Sequence, residues 1–221
     1  MELSVVITTY NRRDVLEGLL DCLDNQTDNN FETIVVMDNC TDETEELLKE
    51  RGVKYFDTKI DGYGLATARN MGIKNAKGEA VVILDDDSYP CPEFVEEHKK
   101  TARRGVITSG SRRPDTEEDV DNLNGKMDYL LELYGDSTIS PLQGFMVENN
   151  CCMMKVNWLQ VPFNESIKEY GRIGQDFMAR LLEKNFMCQF NPRAEIVHLS
   201  KHKRKYENRS NGSRSSGGRV S

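Results

Sequence analysis

Apolar positions along this chain follow two alternating rhythms. Residues 3–8 form a continuous run rich in β-branched side chains, and a stripe at Val15, Leu16, Leu19, Leu20 and Leu23 follows. The first rhythm is that of a buried strand, the second that of a helix with one face on a core. Asn11 marks the predicted start of that helix. The pair then repeats: strand 33–37 with a helix capped at Thr41 or Asp42 and ending near Gly52, then strand 53–56 with helix 65–76, stopped by Lys77-Gly78. Strand 80–84, helix 93–104 and strand 106–109 complete the series. Alternating strands and helices predict an α/β fold, a mostly parallel central sheet flanked by helices on both faces.

Beyond that point the rhythm weakens. Residues 111–136 are polar and acidic and predict a loop or an exposed helix inserted into the topology. An apolar stretch at 145–154 is interrupted by Glu148-Asn149-Asn150, and a helix at 176–184 and a short strand at 194–198 follow. From Glu207 the sequence is Ser, Gly, Arg and Asn with a single Val, too little apolar surface to offset its ordering entropy, so it is predicted to be disordered.

The 221 residues carry a net charge of −8, but unevenly. Residues 201–221 hold seven Lys+Arg and one acid, a charge of +6, which leaves −14 on the first 200. Apolar runs such as Val81-Val82-Ile83-Leu84 are far shorter than the ~20 residues of a bilayer span, so no transmembrane helix is expected. The opening MELSVVITT has an acid at position 2 and no basic start, which predicts a cytoplasmic protein. The six cysteines form no C-x-x-C pair, which argues against structural zinc and a stapled scaffold.

Candidate chemistry gathers at predicted strand ends. Asp85-Asp86-Asp87 closes strand 80–84, and in open parallel sheets ligands bind beyond the carboxyl ends of the strands. Three adjacent acids repel one another, and a cation relieves that repulsion; hard oxygen ligands with a diphosphate suit Mg²⁺ or Mn²⁺. By itself the triplet admits a second reading, a solvated turn. Thr8-Thr9-Tyr10-Asn11 and Asp38-Asn39 fall at the same sheet edge, where hydroxyls, a ring and a carboxylate can hold a nucleobase, although capping accounts for Asn11 and Asp42. Gly62-Tyr63-Gly64 opens a helix that carries Arg69, an anion-favouring arrangement, but neither G-x-x-x-x-G-K-[ST] nor G-x-G-x-x-G occurs there. Asp176 precedes an apolar helical stripe, a position that favours an N-cap, with a general base as the alternative. Of the three histidines, His198 ends a predicted strand, whereas His98 lies in a charged helix and is expected to be exposed. A lone His is ordinarily structural.

Taken together, SVVITTYNR (4–12), IVVMDNCTDET (34–44), ARNMGIKNAKGE (68–79) and VVILDDDSYPCPE (81–93) resemble, in order and spacing, the inverting family 2 glycosyltransferases of the GT-A fold. The resemblance covers about residues 1–200. It implies one Rossmann-like domain with a nucleotide-sugar-binding half at 1–110, an acceptor-side and catalytic-base half at 111–200, and a basic, flexible tail at 201–221. It further implies that Thr8, Tyr10, Asp38 and Arg69 hold the nucleotide and its surroundings, and that Asp85 and Asp86 lie near ribose or metal. Asp87 and His198 would ligate Mn²⁺ or Mg²⁺, and Asp176, in GQDFMARLLEKNF, would be the general base. The donor implied is a nucleotide-diphosphate sugar, UDP-linked first of all, and the acceptor a hydroxyl on a glycan, a lipid-linked sugar, a small molecule or a modified nucleic acid.

Two positions depart from the family pattern. Gln175 replaces the acid that usually precedes the base, and Glu148-Asn149-Asn150 stands where the family often has a small, Gly-rich acceptor loop. Two rivals stay in view: a sugar-nucleotide pyrophosphorylase, which would need a glycine-rich phosphate loop absent from residues 9–18, and a nucleotide-sugar-binding protein without transfer activity. The segment 201–206 is expected to act as a lid over the donor diphosphate, with an arm for a polyanionic acceptor as the alternative.

Overall fold

β1 (Leu3–Thr9) is buried along its whole length and lies between two parallel partners, β2 (Phe31–Met37) and β4 (Ala80–Asp85). The computed structural model describes residues 1–115, 120–143, 148–169 and 171–199, so the basic segment 201–221, with the expected lid at 201–206, and residues 144–147 of the apolar stretch lie outside the described residues. β3 (Lys54–Asp57) adds to β2, giving the order β3-β2-β1-β4. The chain therefore winds outward through three strands and returns to the other side of β1. That reversal opens a crevice at the carboxyl ends of β1 and β4.

The period-two alternation of the strands separates two cores. Val6, Ile34, Val36, Val81 and Ile83 face one side and pack with α3 (Leu65–Asn75) and α7 (Arg172–Glu183). Val5, Ile7, Val35, Val82 and Leu84 face the other and meet α1 (Arg13–Asp24), α2 (Thr44–Glu50) and α4 (Phe94–Thr101). The expected sheet with helices on both faces is therefore present.

The second half departs from simple alternation. β8 (Cys151–Met154) inserts between β4 and β6 (Val106–Pro114) and runs antiparallel to both, while β9 (Met187–His198) is parallel to β6. A four-residue apolar run carries no direction; the connection that delivers it does. Short strands β5 (Ser88–Pro90) and β7 (Ser140–Pro141) flank β9. The segment expected to be a loop or exposed helix contains α5 (Val120–Tyr134), which buries Leu130 and Tyr134, and α6 (Lys155–Gln160) is an addition to the expected elements.

Helix starts also differ. Asn11 takes a left-handed conformation (φ 49°) that asparagine tolerates, and α1 begins at Arg13, whose N–H donates to Asp42 Oδ2 at 3.1 Å. Asp42 Oδ1 also accepts the N–H of Thr44, so one carboxylate serves two helix entrances. α7 begins at Arg172, after Gly171 in the left-handed region, so Asp176 lies inside the helix and is not its N-cap.

His98, expected to be exposed, is fully buried. Phe94, His98 and Thr101 share one face of α4, and the charged residues between them mask that stripe in the sequence. The ring meets Phe94 edge-on at 4.6 Å, and Nε2 lies 2.8 Å from Asn150 Oδ1. Asn150 Nδ2 donates to the carbonyls of Ser111 and Ala194, which turns its oxygen to His98 and assigns the proton to Nε2. Burial pushes His98 down to about 4, against the hydrogen bond it donates to Asn150.

A buried neutral histidine makes stability fall as the pH falls. Its contribution is complete above the ordinary value of 6.5 and is lost progressively toward 4, because only the unfolded chain takes up the proton in that window. The loss accumulates to about 3 kcal/mol. Urea unfolding between about pH 7 and about pH 4.5 is expected to show this component in the wild type and not in His98→Gln. Parallel pH profiles for the two proteins would refute the assignment.

Candidate functional site

The crevice edge carries Asp38 after β2 and the acidic triplet at the end of β4. Asp38, directly after β2, is fully buried; its Oδ2 accepts the Gly64 N–H at 2.9 Å and its Oδ1 the Thr58 hydroxyl at 3.0 Å. Only glycine permits this approach, because a Cβ at position 64 would land on the Asp38 carboxylate. Thr8, paired in register with Asp85, has a buried hydroxyl with no hydrogen-bond partner among the described residues, and partly exposed Tyr10 follows at the same edge.

Each acid of the triplet at the end of β4 has its own environment. Asp85 Oδ1 accepts Arg69 Nη2 at 2.9 Å, and its backbone N–H donates to Asn149 Oδ1 at 3.0 Å. Burial pushes Asp85 up, but the Arg69 charge and hydrogen bond, with Arg112 and His198, outweigh it and hold the carboxyl below the ordinary range. Asp86 is deeply buried; its oxygens accept Thr9 Oγ1 and Arg12 Nη1, both at 2.8 Å. Burial pushes Asp86 up to about 7 against the Arg12 charge, and Asp87 and Asp85 add to the rise. Asp87 Oδ2 lies 3.0 Å from the same Arg12 Nη1, while Oδ1 is buried without a hydrogen bond among the described residues.

Arg69 lies beneath this edge. Its side chain is 2% exposed; besides Asp85 it reaches Glu148 Oε1 at 3.4 Å and covers the Phe163 ring at 5.2 Å. Burial opposes its charge, yet Asp85 and Glu148 together hold it above the ordinary arginine value. The Glu148 carboxylate occupies the space that a Cβ on Gly174 would need, so the first turn of α7 packs directly on it. Glu148-Asn149-Asn150, which stands where the family often has a small, Gly-rich acceptor loop, therefore braces the triplet. Asn149 Nδ2 donates to Ser88 Oγ at 2.8 Å, and the Asn150 N–H donates to the Ile83 carbonyl.

β9 completes the edge. Its register sets His198 opposite Ser88, and His198 Nε2 lies 3.7 Å from Asp87 Oδ1. Among the described residues no group of three or more His, Cys, Asp or Glu side chains is placed to hold a metal ion. Asp87 and His198 nevertheless fit as two ligands of one, since the buried Oδ1 accepts no hydrogen bond among the described residues. Asp176 stands apart, on α7. Arg180 donates to its Oδ2 from Nε at 2.8 Å and to the Pro162 carbonyl, and Asp176 lines a cleft of about 380 Å³ with Ser166, Lys168, Glu169, Arg172 and Gln175.

The structure thus gathers Thr8, Tyr10, Asp38, Asp85, Asp86, Asp87 and His198 at one edge, sets Arg69 beneath it and Asp176 on the neighbouring helix. Arg12 and Glu148 were missed as site residues. The signal for Arg12 was a matter of charge: three adjacent acids at the end of a buried strand require counter-cations, and an arginine two residues after Tyr10 is within reach of them.

The family described as glycosyl transferase family 2 matches residues 4–159. The chondroitin synthase of Escherichia coli is 41% identical over 101 residues, 43% of this chain and 15% of the relative, so this chain spans a small part of that relative's length. The crystal structure of S. aureus TarS 1-349 in complex with UDP-GlcNAc superposes with a TM-score of 0.72 at 18% identity, covering 91% of this chain and 59% of that one. The mannosyltransferase PcManGT from Pyrobaculum calidifontis, in complex with GDP-Man and Mn²⁺, gives 0.68 at 19% identity, covering 91% and 57%. These likenesses carry the fold, GT-A in kind.

Arg69→Met is expected to cost about 2–4 kcal/mol in chemical denaturation, because Asp85 and Glu148 lose their shared counter-charge. Adding Glu148→Gln should recover part of that loss. Equal stability of Arg69→Met and wild type would show that the pairs carry no weight.

Proposed function

The chain belongs to glycosyl transferase family 2, and from that premise we propose that it moves a sugar from a nucleoside-diphosphate sugar, UDP-linked in the first instance, to an acceptor hydroxyl with inversion of configuration. The family assignment decides against the pyrophosphorylase and makes the chain an enzyme of the glycosyltransferase type. The observation that carries the mechanistic reading is the approach of Asp87 Oδ1 and His198 Nε2 to 3.7 Å at the crevice edge.

In this reading Asp38, Thr8 and Tyr10 receive the nucleoside beyond β1 and β2. Asp38 is held rigid by Gly64 and Thr58, so its carboxylate presents a fixed acceptor edge. Asp87 and His198 would hold Mn²⁺ or Mg²⁺, which when bound supplies Lewis-acid stabilisation of the departing diphosphate. Asp85 and Asp86 shape the turn that presents Asp87, the former fixed by Arg69 and the latter by Arg12 and Thr9.

Asp176 removes the proton from the acceptor hydroxyl as that oxygen attacks the anomeric carbon from the face opposite the diphosphate. Arg180 fixes its Oδ2. The cleft shared with Ser166, Lys168 and Gln175 supplies the acceptor side, and its polar lining suits a hydroxylated molecule. Beyond the donor, the partner is that acceptor. No helix among the described residues is long and apolar enough to cross a membrane, which is compatible with a cytoplasmic site of action.

Asp176→Asn should lower transfer by about 10²–10⁴-fold while leaving nucleotide-sugar binding intact, as measured by product formation and calorimetry in parallel. Full transfer activity in this variant would remove Asp176 from the base role. Asp87→Ala, or removal of divalent cations with EDTA, should abolish transfer, and added Mn²⁺ should restore the chelated wild type; undiminished activity in EDTA would refute cation assistance.

A further inference from the structure

One guanidinium serves two buried carboxylates at the crevice. Arg12 Nη1 lies 2.8 Å from Asp86 Oδ1 and 3.0 Å from Asp87 Oδ2, with side-chain exposures of 3%, 2% and 7% for Arg12, Asp86 and Asp87. Thr9 Oγ1 takes the remaining oxygen of Asp86, and Arg69 takes Asp85. Of the four oxygens on Asp86 and Asp87, only Asp87 Oδ1 therefore accepts no hydrogen bond among the described residues.

This arrangement has a consequence for a cation. A divalent ion of the Mg²⁺ or Mn²⁺ kind takes about six ligands and favours several negative oxygens. Asp87 Oδ1 and the His198 imidazole offer two ligands, and two acids sharing one arginine leave at most about one negative charge. A guanidinium beside the acceptor oxygen also repels an incoming cation. A diphosphate brings both the missing oxygens and the missing charge.

We propose that Arg12 sets the order of binding: by offsetting part of the negative charge of Asp86 and Asp87 in advance, it allows the divalent cation to be held only together with the diphosphate of the donor. The inference rests on the cation-assisted reading above. Arg12 is a positioning residue here, since it acts through Asp86 and Asp87 and touches neither the cation nor the donor in this account. It also explains how the chain keeps three acids at one turn before any ligand arrives, because the two arginines carry the compensating charge.

Calorimetric titration of the full chain with MnCl₂, alone and in the presence of UDP or GDP, tests this without a turnover assay. The wild type is expected to bind Mn²⁺ weakly alone, with a dissociation constant of about 1 mM or higher, and at least about tenfold more tightly with a nucleoside diphosphate. Arg12→Met should tighten binding of Mn²⁺ alone by about tenfold or more, and Arg12→Lys should behave like the wild type. Unchanged affinity for Mn²⁺ alone in Arg12→Met overturns the proposal, as does equal affinity of the wild type with and without diphosphate. Where Arg12→Met does not fold, Asp86→Asn decides: it gives Arg12 wholly to Asp87 and should weaken Mn²⁺ about tenfold in the presence of diphosphate, and an unchanged value overturns the role of Arg12. A wild type that binds no Mn²⁺ under either condition overturns cation assistance itself, a result distinct from failure of the Arg12 variants alone.

Discussion

Three carboxylates at the end of a buried strand are the constraint on which this structure turns. Burying an unpaired carboxylate costs several kcal/mol, so the buried Asp86 and Asp87, with the partly exposed Asp85 beside them, need counter-charges within reach. Arg69 arrives from α3 beneath the sheet, and Arg12 from the turn after β1. Each arginine is buried in turn, and each is therefore committed to its acids. One oxygen, Asp87 Oδ1, is left over, facing His198. The site is what remains once the charges at the turn have been balanced.

The same pairing links the two halves of the chain. Arg69 joins Asp85, in the first half, to Glu148, in the second, and Glu148 fills the space beside Gly174 at the start of α7. The helix that carries Asp176 is thus seated by a carboxylate whose partner also fixes the acidic turn. The halves at 1–110 and 111–200, as the resemblance divides them, share a nine-stranded sheet. β8 and β9 complete it around the switch-point crevice.

Much of the first half was legible because its elements are local. Strands 3–8 and 33–37 and the stripe of α1 announce themselves by period, and the acids fall at strand ends where the topology puts the crevice. The second half was less legible because its determinants are long-range. Nothing in Cys151-Cys152-Met153-Met154 states that β8 runs antiparallel, and nothing around His98 announces that Asn150, from another element, accepts its proton. Asp176 read as a cap because the apolar stripe stands out only from Phe177 onward; the helix starts earlier, at Arg172 after the left-handed Gly171, and a single Ile173 beside Gly174 is too little to mark its first turn in the sequence. Arg12 and Glu148 were overlooked for a similar reason: a charged residue shows its role only when its partner is known. The family blocks carried the functional reading further than periodicity did, because they fix the order of several short segments at once.

In the function proposed, a divalent cation and a nucleoside diphosphate meet at Asp87 and His198. Its most direct test is the imidazole NMR signal of His198 during titration with Mn²⁺ in the presence of UDP or GDP, since the unpaired electrons broaden only nearby nuclei. The account predicts that the His198 ring resonances disappear at substoichiometric Mn²⁺ and persist in Asp87→Ala. Sharp His198 resonances in the wild type at saturating Mn²⁺ and nucleotide would contradict it.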